Sequence, residues 1–176
     1  MMLFKTLQTE PYPVYEIELS QLSQAADISA IMKKLDVVYY TYTFDYNGLV
    51  IKYGISVDKK SNSGDRIYRQ AGHLSGWKYR LVGPNGNDMR IINDYYFQET
   101  GTHLNRVGMK IIVRDLTRVS SPSVDDPVLH VKQLERQLIK EHEKLHGHIP
   151  IGNIKDESYL DKKSYIAKST WNALFE

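Results

Sequence analysis

His142-Glu143-Lys144-Leu145-His146 spells H-E-x-x-H. On a helix that spacing puts both imidazoles on one face, the arrangement in which two His ligands hold zinc and the Glu serves as base. The neighbouring residues argue against it. Glu141 and Lys144 place charges where a buried zinc-protease helix carries uncharged residues, and no third ligand follows at metzincin spacing. A second group joins phenols to an amine. Tyr40 and Tyr42 alternate along one β-rich run, and Lys52 lies inside the next, shortly before Gly54. Such a pair of strands is unusual for pure core, although Tyr and Thr also favour sheets for packing alone. Arg66 stands in Gly64-Asp65-Arg66-Ile67, and Arg69 with His73 repeats at i, i+4. Solvated helix arginines would read the same way. Glu135 borders an apolar helical stripe of Val131, Leu134, Leu138 and Leu145. At that position an acid is more often an edge salt bridge than a ligand.

The elements that must position these residues follow from periodicity. Val37–Phe44 and Leu49–Ile55, around Asp45-Tyr46-Asn47-Gly48, predict a β-hairpin, with Asn-Gly supplying the turn. Alternation puts Tyr40 and Tyr42 on one face, and Val50, Lys52 and Gly54 together on one face of the second strand. Pro11 and Pro13 make residues 1–18 an extended arm. Ser20 would cap a helix over Gln21–Leu35. Asp65 would cap a helix to His73, and Asp88 a second one. Gly108–Leu116 reads as a third strand, and Pro127 opens a long helix to about Leu145. Residues 154–176 read as a polar tail. The expected architecture is one α+β domain: an N-terminal arm and helix over 1–36, a core over 37–153 and a C-terminal arm over 154–176.

Composition narrows the classes. At 176 residues, with 41% hydrophobic and 25% charged side chains, the chain suits one soluble globular domain. It contains no long apolar run to span a membrane. No Cys is present, which removes disulfides and thiolate metal sites and agrees with a cytoplasmic location. The net charge is only +2, but its distribution is uneven. Residues 48–90 carry eight basic side chains against three acidic ones, directly after the hairpin. A phosphate-binding surface has this signature.

Taken together, the motifs resemble the GIY-YIG nuclease family. Tyr40-Thr41-Tyr42 stands where that family carries G-I-Y, and Lys52-Tyr53-Gly54 where it carries Y-I-G. Lys in place of the leading Tyr looks like the branch of small type II restriction endonucleases. The Tyr42 to Lys52 interval, Arg66-Ile67 on a following helix, Glu135 on a late helix, and Pro150-Ile151-Gly152 beyond it keep the family's order. The likeness covers about Val37 to Asn153. Gln70 stands where the family often has His or Tyr, and Asn153 where some branches carry a polar residue.

The resemblance implies a three-stranded, mainly antiparallel sheet flanked by helices. It also implies Mg²⁺-dependent hydrolysis of double-stranded DNA at a short palindrome, with Mn²⁺ able to substitute. Glu135 would bind the metal and Arg66 would face the reacting phosphate. Tyr42, or Tyr40 on the same face, would take the proton from water. A free phenol ionises near pH 10, and the Lys52 ammonium would favour the phenolate. Arg69, His73, Lys78, Arg80, Arg90 and His146 are the expected DNA contacts. The implied partners are a second copy of the chain on DNA and a cognate methyltransferase. Alternatives in the same frame are a homing or repair nuclease and a non-catalytic DNA-binding module.

Overall fold

The computed structural model describes residues 3–56, 67, 71, 101, 103–119, 126–147, 149–150 and 153. The chain opens with β1 (Lys5–Gln8) and β2 (Val14–Glu18), a 3₁₀ turn at Leu19–Gln21 and α1 (Asp27–Leu35). Then come the hairpin strands β3 (Tyr40–Tyr46) and β4 (Leu49–Ser56), the later strand β5 (Met109–Asp115), and the long helix α2 (Pro127–His146). This is an α+β fold on one antiparallel sheet of order β1-β2-β5-β3-β4. The expected three strands are its contiguous half β5-β3-β4. The sheet is nevertheless five-stranded, because the predicted N-terminal arm forms β1 and β2 and pairs onto β5. Tyr15, Ile17 and Leu19 continue an alternation that the two prolines mask, and Ile17 and Leu19 are fully buried. Among the described residues no helix is long and apolar enough to cross a membrane.

The predicted helix over Gln21–Leu35 begins later, at Asp27. The Asp27 carboxylate accepts from the backbone N–H groups of Ser23 and Gln24 and from the Ser23 hydroxyl, at 2.9–3.2 Å. Those bonds hold the preceding residues in turns, so Leu22 and Ala25 are buried without being helical. At the other end of the chain α2 starts as its sequence directs. Asp126 accepts from Val128 N–H at 2.9 Å, Pro127 occupies the first turn, and Gly147 closes the helix in the left-handed region.

The hairpin turn is tighter than the four-residue loop predicted. The strands run to Tyr46 and resume at Leu49, leaving Asn47 and Gly48, at φ 52° and 90°, as a two-residue turn. A bulge follows. Phe44 pairs with Lys52 but Asp45 with Val50, so Ile51 is extra. The bulge overturns the expected alternation. Lys52 and Gly54 share the face of Phe44 and Tyr42, whereas Val50 lies with Asp45 on the other face.

The sheet thus has two unlike faces. On the first, Tyr40, Tyr42, Phe44, Ile111, Val113 and Ile17 join one apolar cluster with Ile28 and Met32 of α1. Ile67 and Ala71, four residues apart and both helical, are buried in that cluster. The second face presents Thr41, Thr43, Tyr53 and Arg114, and α2 packs over β4 and β3 there, setting His142 edge-on to the Tyr53 ring at 6.4 Å. The α2 stripe differs from the one predicted. Val131 and His142 are buried, Glu135 and Leu138 are half-buried, and Leu145 is 78% exposed.

Candidate active site

The site residues are best built up from β3. Tyr40, Tyr42 and Phe44 stack along one face, with ring centroids 6.4 and 6.0 Å apart. Across the strand pair, Tyr42 faces Gly54. A β-carbon placed on Gly54 would fall within 2.6 Å of Tyr42 Cε2 and nearer still to its Cζ and hydroxyl. The phenol therefore lies across β4, and only a residue without a side chain permits it. This accounts physically for the glycine of Lys52-Tyr53-Gly54. Lys52, half-buried, stands one pair further on the same face, opposite Phe44.

Tyr42 and Tyr40 are 2% and 1% exposed, so both phenols belong to the core as well as to the candidate site. Tyr40 pairs with Ser56 and Asp115, further from Lys52 along the strand than Tyr42. The start of β3 is pinned by Thr117, whose hydroxyl accepts from the N–H groups of Val38 and Tyr39 at 2.9 and 3.2 Å. Leu116 N–H donates to the Tyr39 carbonyl at 2.8 Å. These contacts fix which side chains of β3 face the cluster.

Glu135 is half-buried on α2, two helical turns before His142. Because His142 meets Tyr53, α2 approaches from the face opposite to Tyr42, with β4 carrying Lys52 on one side and Tyr53 on the other. Tyr42 and Lys52 are thus brought onto one face, while Glu135 comes to β4 from the other. Arg66, Arg69, His73, Lys78, Arg80 and Arg90 lie outside the described residues. Ile67, next in sequence to Arg66, is buried in the cluster that contains Tyr42. His146 is exposed at the end of α2, its ring 4.4 Å from that of His142. The two His of H-E-x-x-H are therefore neighbours, but one is packed on the sheet. Among the described residues no group of three or more His, Asp or Glu is placed to hold a metal ion.

Sequence reasoning missed the polar layer beneath α2. Arg114 donates to the Thr43 hydroxyl at 2.7 Å. Burial holds its pKa below the usual arginine value, with Tyr53, Tyr12 and Glu141 acting in the opposite sense. Tyr53 is pushed up, first by burial and then by Glu141 and Asp45, against the lowering effect of Arg114. Thr41, paired with Arg114, is fully buried, and its hydroxyl meets no hydrogen-bond partner among the described residues. The available signal was an arginine alternating with Ile111 and Val113 in β5, a charge on the face opposite to theirs. A second contact also escaped notice. The Asn153 side chain accepts from Tyr53 N–H at 2.9 Å and donates to the Tyr53 carbonyl at 2.8 Å.

No protein-family model, no curated protein and no solved structure matches this chain.

Proposed function

We propose that the protein is a Mg²⁺-dependent endonuclease of the GIY-YIG type, cutting double-stranded DNA at a short palindromic site in the manner of the small type II restriction enzymes. The observation that carries this reading is Tyr42 lying across Gly54, with Lys52 on the same face one pair away. Two of the motif residues, Tyr42 and Lys52, thereby share one face of β3-β4, whereas Glu135 lies on the helix that packs on the other. Ile67, next in sequence to Arg66, is buried in the Tyr42 cluster.

In this reading Tyr42 accepts the proton of the attacking water, Tyr40 being the alternative on the same face. The Lys52 ammonium favours the phenolate, which water alone would leave protonated at neutral pH. Arg66 donates charge-assisted hydrogen bonds to the phosphate as negative charge builds on it. Glu135 is the residue that would hold the metal. A carboxylate is the kind of hard oxygen ligand Mg²⁺ takes, the ion keeping several waters and completing its shell with substrate phosphate. When bound, the ion supplies charge neutralisation at the phosphate and at the leaving oxygen. Zinc at His142 and His146 is disfavoured, since His142 packs against Tyr53.

One chain offers one such constellation, and a palindrome is most simply cut on both strands by a two-fold pair of chains, each reading a half-site. A cognate methyltransferase would protect the host's own sites. The deciding experiment is digestion of a phage genome with Mg²⁺, with Mn²⁺, with Zn²⁺ and with chelator. Discrete fragments with Mg²⁺ or Mn²⁺ alone are expected. Uncut DNA under all four conditions would remove the reading, whereas a retarded but uncut duplex would leave a binding module in its place.

A further inference from the structure

The outer edge of β4 is closed by a side chain from a distant part of the chain. Asn153 accepts from the Tyr53 N–H and donates to the Tyr53 carbonyl, so one amide meets both outward-facing backbone groups of that residue as a neighbouring strand would. The residues are a hundred positions apart. Asn153 is itself held by its own N–H, which donates to the Pro150 carbonyl at 2.9 Å across a turn that follows α2. Pro150 is buried, which anchors that turn. The residue clipped is the middle one of Lys52-Tyr53-Gly54. Its neighbour on one side is Lys52, which faces Phe44 one pair from Tyr42, and on the other the glycine beneath the Tyr42 ring.

The edge strand carries a bulge at Ile51, two residues before this point, and Asn153 fixes its pitch beyond the bulge. Movement of Tyr53 would carry Lys52 and Gly54 with it, changing both the ammonium–phenol separation and the seat of the ring. We propose that Asn153 is a positioning residue for the Tyr42–Lys52 pair: it locks the edge strand so that Lys52 stays on the face of Tyr42 and Gly54 stays under the ring. The proposal rests on the nuclease reading above. The choice of Asn follows from the chemistry, because only a carboxamide offers an acceptor and a donor at the spacing of a backbone N–H and C=O.

The test uses the full chain with Asn153→Ala and Asn153→Asp. Asp keeps the acceptor for Tyr53 N–H and loses the donor, so it should fall between wild type and Ala. Hydrogen exchange at the Tyr53 amide should accelerate at least tenfold in the Ala variant, with β5 amides unchanged. Its kcat on cognate DNA should fall at least tenfold while KM stays within about threefold. The pH midpoint for activity should also move upward, because the Lys52 ammonium is no longer held on the phenol's face. A variant that cuts with wild-type kcat and an unmoved pH profile would overturn the proposal. So would a loss of activity with an unmoved pH midpoint, which marks a purely structural role. Wild-type protein that cuts no DNA sinks the nuclease reading itself, a result distinguishable from both.

Discussion

Gly54→Ala tests the central geometric claim independently of any activity. The new methyl would stand 2.6 Å from Tyr42 Cε2 and closer to Cζ and the hydroxyl, about an ångström inside ordinary van der Waals contact. The ring has little room to yield, being flanked by Tyr40 and, edge-on, by Phe44, each fully or almost fully buried. Relief must come from β4 moving away or from Tyr42 leaving its rotamer. Overpacking of this kind costs about 1–3 kcal/mol. With both neighbours fixed we expect the upper end, about 3 kcal/mol, which for a chain of this size lowers Tm by roughly 6–12 °C. Urea unfolding of wild type, Gly54→Ala, Tyr42→Ala and the double variant gives the coupling directly. Tyr42→Ala opens a cavity and is costly alone, but it should remove most of the Gly54→Ala penalty. Gly54→Ala within about 0.5 kcal/mol of wild type, the ordinary range for a surface change, would refute the close approach. Additivity in the double variant would refute it equally.

Three other outcomes follow from the same geometry. Glu135→Gln should abolish cleavage while leaving retention of cognate duplex within a few-fold of wild type, and near-wild-type cutting would dismiss Glu135 as the metal ligand. Burial chiefly raises the folded pKa of Tyr53 above the ordinary phenol value of about 10. Its stabilising contribution is therefore full below about pH 10 and is lost as pH rises through the folded value. Tyr53→Phe should flatten that alkaline decline in urea-unfolding stability, and an unchanged slope would show that Tyr53 titrates normally. Arg114→Met, by removing a desolvated guanidinium together with its bond to Thr43, should change stability by no more than about 1–2 kcal/mol, because the lost hydrogen bond and the relieved burial oppose each other. A loss beyond about 4 kcal/mol would show that Arg114 anchors α2 more firmly than its described contacts suggest.

Local chemistry made the hairpin, β5 and α2 legible in the sequence. Asn47-Gly48 can adopt two consecutive left-handed conformations, and Asp126-Pro127 marks the start of α2 directly. Residues whose setting depends on distant partners were not legible. β1 and β2 become strands because β5 offers an edge to β2, which no local pattern near Pro11 and Pro13 announces. α1 is shortened by three hydrogen bonds onto the Asp27 carboxylate, a competition that helical periodicity does not record. Glu135 was read correctly as bordering the buried stripe, but the stripe ends on His142 rather than Leu145, because an imidazole meets the Tyr53 ring. At the candidate site the sequence supplied Tyr42 and Lys52. The bulge that sets which residues share their face came only from the strand register.

That extra residue also ties the hairpin to the core, its side chain being fully buried in the apolar cluster. On the turn side of Ile51, pairing is set by Asn47-Gly48 and by Asp45, whose carboxylate accepts from Gly48 N–H at 2.9 Å. On the far side it is set by Tyr42 over Gly54 and by Asn153 on Tyr53. The two registers are joined through a position that owes no partner to β3. A change in the turn therefore meets a core-anchored residue at Ile51 before it reaches Lys52. The turn end of the hairpin, exposed Asn47 and Gly48, lies outside that anchor, while Tyr42 and Lys52 lie behind it.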